Sequence, residues 1–197
     1  MAFSTDNVLD DAVIQAIQNG EVGILPTDTV YGIVASAKLP KAVDTLMGVK
    51  SRDGKPGTVL AATSDQLIEL GIKARYVHAV EQYWPNPLSV IIPCGDTLSY
   101  LHLGKFSLAC RIPDNPQLKA LLEKTGPLMT SSANHPGEET AQNLIEAKAY
   151  FGDSVSFYVD GGEKDHKAPS TIIRVVDDAI EIIREGAVKI DENGRIH

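Results

Sequence analysis

Val22-Gly23-Ile24-Leu25-Pro26-Thr27-Asp28-Thr29-Val30-Tyr31-Gly32 is the stretch on which the fold turns. Its first four residues are apolar and too few for a helix, and Pro26 closes them, so they read as a buried strand. Two hydroxyls and a carboxylate, on Thr27, Asp28 and Thr29, then stand where that strand ends. The pattern returns after Pro127-Leu128-Met129, where Thr130-Ser131-Ser132-Ala133-Asn134 sets four hydrogen-bonding side chains in five residues. Turns account for Asp28 and Thr29 taken singly, and a helix cap for Ser132 or Asn134. Taken together they read as the walls of one small-molecule site.

Working outward, Val8, Leu9, Ala12, Val13, Ala16 and Ile17 recur at helical spacing, with Asp6 or Asn7 as cap and Gly20 as stop. Residues 40–49 regain helical character, with Pro40 in the first turn and Ala42, Val43, Leu46 and Met47 on one face. Further apolar runs predict strands over 58–62, 88–92, 106–112, 128–131, 155–159, 170–176 and 180–184. Helices are predicted over 64–70, 74–83, 116–123 and 141–151. This mixture specifies an α/β domain with a twisted mixed β-sheet flanked by helices. Consecutive strands in the carboxyl-terminal half argue against the regular repeat of a Rossmann fold. Residues 161–167, rich in Gly and charge, read as the most mobile loop.

Composition narrows the function classes. The 197 residues suffice for one domain, with 43% hydrophobic and 22% charged residues, ordinary globular values. Eighteen Lys and Arg against 26 Asp and Glu give a formal net charge of -8, which argues against an extended nucleic-acid-binding face. The amino terminus is polar and acidic, unlike a signal peptide, and no apolar run reaches the roughly 18 residues that span a bilayer. Cys94 and Cys110 lie inside apolar segments and read as free buried thiols, in keeping with a cytoplasmic protein away from membranes.

Against this acidic background Lys50, Arg52 and Lys55 fall within six residues, beside Gly54, Pro56 and Gly57. A helix-terminal lysine and two solvated loop cations explain them one by one, whereas a phosphate or carboxylate explains them together. Arg111 stands between Cys110 and Ile112 in an apolar run. A guanidinium buried there needs an anionic partner, either a protein carboxylate or one on a substrate. Arg184 poses the same choice, with Glu185 beside it. His78, His102, His135, His166 and His197 show no metal-ligand spacing, so no transition metal held by the protein alone is expected. No Gly-x-Ser-x-Gly elbow occurs, and the site reads as one for binding and electrostatics rather than covalent catalysis.

The ordered set of residues 26–32, Lys50-Ser51-Arg52, Trp84-Pro85-Asn86-Pro87-Leu88, Arg111-Ile112-Pro113, Ser132-Ala133-Asn134, Asp160-Gly161-Gly162, Ser170-Thr171 and Arg184-Glu185-Gly186 resembles the YrdC family of threonylcarbamoyl-AMP synthases. The resemblance runs from about residue 8 to residue 190 and fits the short, single-domain form. It implies a concave, positively charged cavity, and a nucleotidyltransferase that converts L-threonine, bicarbonate and ATP into threonylcarbamoyl-AMP and pyrophosphate. Magnesium would enter with ATP, and the product would supply a downstream transferase acting on adenosine 37 of tRNA.

Carried over by position, the resemblance assigns Thr27, Arg111, Thr130 and Ser170 to L-threonine. It assigns Arg52, Lys55, Ser107, Ser132, Asn134, Thr140 and Arg184 to ATP, with Lys50 and Arg52 as the catalytic cations. The chain departs from the family pattern at Asp53, which stands after Arg52 where Pro is usual, in a loop that looks one residue short. An RNA-binding or catalytically inactive paralogue is the alternative that the same resemblance leaves, and weak tRNA binding is compatible with either.

Overall fold

Short apolar runs with no polar face cannot lie half-exposed, and here they form the inner strands of a sheet covered on both sides. The computed structural model describes residues 1–51, 54–164, 167–177, 179–191 and 194–197. Along the chain come β1 (Phe3–Thr5), α1 (Asp11–Gln18), β2 (Gly23–Pro26), β3 (Tyr31–Ser36), α2 (Pro40–Lys50), β4 (Thr58–Leu60), α3 (Ser64–Leu70) and α4 (Ala74–His78). There follow β5 (Leu88–Pro93), α5 (Ser99–His102), β6 (Ser107–Arg111), α6 (Pro116–Thr125), β7 (Leu128–Ser132), α7 (Leu144–Phe151), β8 (Phe157–Val159), β9 (Thr171–Val176) and β10 (Ala179–Arg184).

The strands join one mixed sheet in the order β1-β8-β2-β3-β7-β4-β6-β5-β9-β10. β1–β8, β8–β2, β4–β6 and β5–β9 are parallel pairs, and the other neighbours are antiparallel. Side chains alternate across this sheet between two cores. Ile24, Ile33, Val59, Met129 and Tyr158 face one, with residues of α2, α3, α4, α5 and α7. Their neighbours Leu25, Val34, Leu60, Leu128, Phe157 and Val159 face the other, with α1 and α6.

Most predicted elements appear where the apolar pattern put them, and the differences have local causes. Asp10, not Asp6 or Asn7, caps α1: its carboxylate accepts from the Ala12 amide, while Asn7 closes a turn to Leu9. The helix predicted over 74–83 stops at His78 and resumes only as a single 3₁₀ turn at Glu81–Tyr83. Helix α7 starts at Leu144 because Asn143 supplies the cap, accepting from the Glu146 amide. Strand β1 and helix α5 are too short, at three and four residues, for any periodicity to show. The stretch predicted to be most mobile is tied down in its described part. The Tyr31 hydroxyl donates to the Gly162 carbonyl at 2.9 Å and accepts from the Gly161 amide at 2.7 Å. The Lys164 amide donates to Gln142.

Among the described residues no helix is long and apolar enough to cross a membrane. Both cysteines are free thiols, Cys110 buried and Cys94 half-buried. Burial disfavours the thiolate and pushes Cys94 up to about 11, and Cys110 higher still. Iodoacetamide at pH 8 should therefore label neither cysteine at the rate of an exposed thiol. Urea should expose both to rapid labelling, as mass spectrometry can follow.

Candidate active site

The α1 and α6 layer covers only part of its face of the sheet. In the ladder of β7, β4 and β6, Leu128 stands opposite Leu60, and Leu60 opposite Arg111. One step along, Thr130 stands opposite Thr58, and Thr58 opposite Ala109. On one side of that step large apolar side chains meet the helices; on the other, small and polar ones form the floor of an open cleft. Thr27, Gly32, Gly57, Ser132, Ser170, Ile172 and Arg184 complete its walls with Arg111. Six of the residues singled out in the sequence, Thr27, Arg111, Thr130, Ser132, Ser170 and Arg184, are thus brought to one place from five separate segments.

A continuous polar chain crosses this floor. Asp28, in the turn between β2 and β3, accepts from Arg111 Nη2 at 2.9 Å, and the two side chains are 3% and 4% exposed. Arg111 Nη1 donates to the Ser89 hydroxyl at 3.3 Å. The hydroxyls of Ser89 and Ser170 lie 3.0 Å apart. Arg184 then donates to the Ser170 carbonyl from Nε at 3.1 Å and from Nη2 at 2.6 Å, and from Nη2 to the Ser170 hydroxyl at 3.2 Å. Of the two anions weighed for Arg111, a protein carboxylate is therefore present, and the pair leaves further guanidinium protons for a ligand. Burial drives the Asp28 carboxyl up and the Arg111 guanidinium down, and each opposes the other's shift through its opposite charge. Asp28 Oδ2 and Arg111 Nε are buried with no hydrogen-bond partner among the described residues.

Arg184 reaches the cleft through a β-bulge. In β9–β10, Ile182 opposes Ile173 but Arg184 opposes Ile172, so Ile183 is the extra residue. In a regular ladder Arg184 would oppose Thr171, on the far face. Just beyond, Gly186 passes so close to the next segment that a Cβ would lie 2.2 Å from the Pro169 carbonyl oxygen and 2.7 Å from that of Ser170. The Ala187 amide bonds that same Pro169 oxygen at 2.8 Å.

On the opposite wall the Lys50 ammonium, at the end of α2, donates to the Ser132 carbonyl at 2.7 Å, to Asn134 Oδ1 at 2.8 Å and to the Asn134 carbonyl. The Ser132 hydroxyl donates to Asn134 Oδ1 at 2.6 Å, and Asn134 Nδ2 donates to the His135 and Glu138 carbonyls. Lys50 is buried and shapes the Ser132–Asn134 turn rather than lying in open solvent. Lys55, Ser107 and Thr140 lie outside the cleft lining. Lys55 is exposed. Ser107 bonds the Lys105 carbonyl, and the Thr140 carbonyl accepts from Gln142. Arg52, with its neighbour Asp53, lies outside the described residues.

Sequence reasoning missed Ser89 and Lys164, and counted Asp28 among the residues of the site without pairing it with Arg111. Ser89 interrupts an apolar strand as a single hydroxyl, the one signal it gave. Lys164 donates to the Thr27 carbonyl at 3.3 Å and sits 5.6 Å from the Tyr31 ring centroid. Burial lowers its ammonium, as does Lys167 nearby, with Asp28 acting the other way. Because Gly186 has no room for a side chain, Gly186→Ala should push the Ser170 backbone off Arg184. It should cost about 2 kcal/mol of stability in urea unfolding; unchanged unfolding would mean that this strand end yields freely.

The Sua5/YciO/YrdC family model, described as "Telomere recombination", matches residues 15–186. A protein of Methanocaldococcus jannaschii is 32% identical over 185 residues, covering 91% of this chain and 86% of its own length. The threonylcarbamoyl-AMP synthase of Pseudoalteromonas translucida is 30% identical over 168 residues, covering 82% of this chain and 90% of its own length. P. abyssi Sua5, solved in complex with L-threonine, superposes with a TM-score of 0.84 over 96% of this chain at 23% identity, which shows a common fold. This chain spans 58% of that longer protein. Matched over most of its length in sequence and in fold, the chain belongs to the Sua5/YciO/YrdC family.

Proposed function

We propose that this protein makes threonylcarbamoyl-AMP, the product for which its Pseudoalteromonas relative is named, from L-threonine, bicarbonate and ATP with release of pyrophosphate. The observation that carries the reading is the cleft itself, which gathers two guanidiniums and a set of hydroxyls on one floor. Thr27, Arg111, Thr130 and Ser170 take L-threonine, with its carboxylate on the open part of the Arg111 fork. Ser132 and Arg184 take the nucleotide phosphates, with Lys50 and Asn134 shaping that wall. Arg52, Lys55, Ser107 and Thr140 complete the nucleotide contacts, and the cavity as a whole is positively charged.

The chemistry follows from charge. The threonine amine and bicarbonate give a carbamate and water. A carbamate oxygen then attacks the α-phosphorus, and as that O–P bond forms, the bond to the bridging oxygen breaks and pyrophosphate leaves with the electron pair. Because the attacking oxygen is already anionic, the step needs no general base. What it needs is positioning, and cations that answer the charge growing on the phosphoryl oxygens and the leaving group. Arg52 is the catalytic cation, Lys50 serves the step by holding the Ser132–Asn134 wall in place, and magnesium arrives as part of the MgATP substrate. This makes the protein a cytoplasmic nucleotidyltransferase whose product passes to the transferase that modifies adenosine 37 of tRNA, with at most weak contact with the tRNA itself.

Pyrophosphate release from MgATP and bicarbonate, compared with L-threonine, with L-serine and with no amino acid, tests this directly. Release should depend on threonine, and Arg111→Ala should raise the threonine requirement about a hundredfold by removing a bidentate charge-assisted pair. Arg184→Ala should do the same for ATP. No threonine-dependent release from folded protein would overturn the reading in favour of a binding module or an inactive relative.

A further inference from the structure

Ser89 lies on β5 with no exposed surface, and its hydroxyl has two partners among the described residues, Arg111 Nη1 and the Ser170 hydroxyl. A guanidinium has only protons to give, so Ser89 accepts from Arg111. Ser170 for the same reason accepts from Arg184. That leaves the Ser89–Ser170 contact, which either hydroxyl could make as donor. If Ser170 donated, the Ser89 proton would be sealed in the sheet with nothing to bond, a costly outcome for a fully buried donor. Ser89 therefore donates to Ser170. Ser170 is left as a double acceptor, and its own proton has no partner among the described residues while its side chain lines the cleft.

We infer that Ser89 is a positioning residue: it fixes the direction of the Ser170 hydroxyl, so that this hydroxyl enters the cleft as a donor to the carboxylate of the amino-acid substrate. The inference rests on the function proposed above. The two guanidiniums at the ends of the chain polarise both hydroxyls, and each bond that Ser170 accepts strengthens the bond it gives. Ser89 touches no ligand; it also accepts from Arg111, but the direction of the cleft-facing proton is set through Ser170. That separates it from a serine that merely fills space in the strand, because the effects of replacing the two serines should then not be independent.

Calorimetric titration of L-threonine into the wild type, Ser89→Ala, Ser170→Ala and the double variant, each shown by circular dichroism to be folded, reads this dependence. Ser89→Ala should weaken binding about tenfold, as should Ser170→Ala, for loss of one hydrogen bond to a charged group. The double variant should bind within about twofold of Ser170→Ala alone. Wild-type affinity in Ser89→Ala, or a double variant weakened by the product of the single losses, would overturn the inference and leave the proposed function standing. A wild-type protein that binds no L-threonine would overturn the proposed function, and this inference with it. Should Ser89→Ala not fold, Ser89→Cys, a weaker donor of similar size, supplies the same comparison.

Discussion

The buried pair of Asp28 and Arg111 is the contact on which the rest of the site depends. Asp28 belongs to the turn between β2 and β3, and Arg111 ends β6, three strands further along the sheet. Their hydrogen bond therefore fixes the width of the cleft across strands that otherwise meet only through neighbours. Taking both charges out of water costs about as much as their attraction returns, so the pair contributes position more than net stability. Neither partner can be removed alone without stranding the other. From Arg111 the constraint passes through Ser89 and Ser170 to Arg184, and the two sides of the floor are held at one spacing.

The sheet has two very different faces, and the site comes from that difference. Towards α2 and its companions, every strand of the central sheet gives the core a large side chain. Towards α1 and α6 the large side chains stop one ladder step short, where Thr58 and Thr130 follow Leu60 and Leu128 on their strands and Ala109 stands beside them. Small and hydroxylated residues there cost the fold little packing, since among the described residues no helix lies above them. Residues as small would open a void if they fell on the other face.

Much of this was legible in the chain. Strand ends were marked by Pro26 and by the hydroxyl-rich run at 130–134, and the alternation of two cores follows from apolar runs without a polar face. Arg111 was legible as a buried charge, and the protein carboxylate weighed for it proves to be Asp28. Other features depend on geometry that a one-dimensional pattern does not carry. The bulge at Ile183 changes no residue type, yet it decides which face Arg184 occupies. Ser89 looks like a dilution of an apolar strand until Ser170, 81 positions later, is found 3.0 Å away. Ser107 and Thr140 were placed by resemblance alone, Lys55 by the basic cluster as well, and all three stand outside the cleft lining.

The partly covered face has one more implication. Helices α1 and α6 cover part of one face of the sheet, and among the described residues the cleft is the gap beside them. A molecule seated there occupies the volume in which another packed helix would lie, and it covers the same strands. For this protein, taking up its ligand is thus close in kind to a last step of folding, and the occupied form should gain cooperativity as well as stability from what it holds.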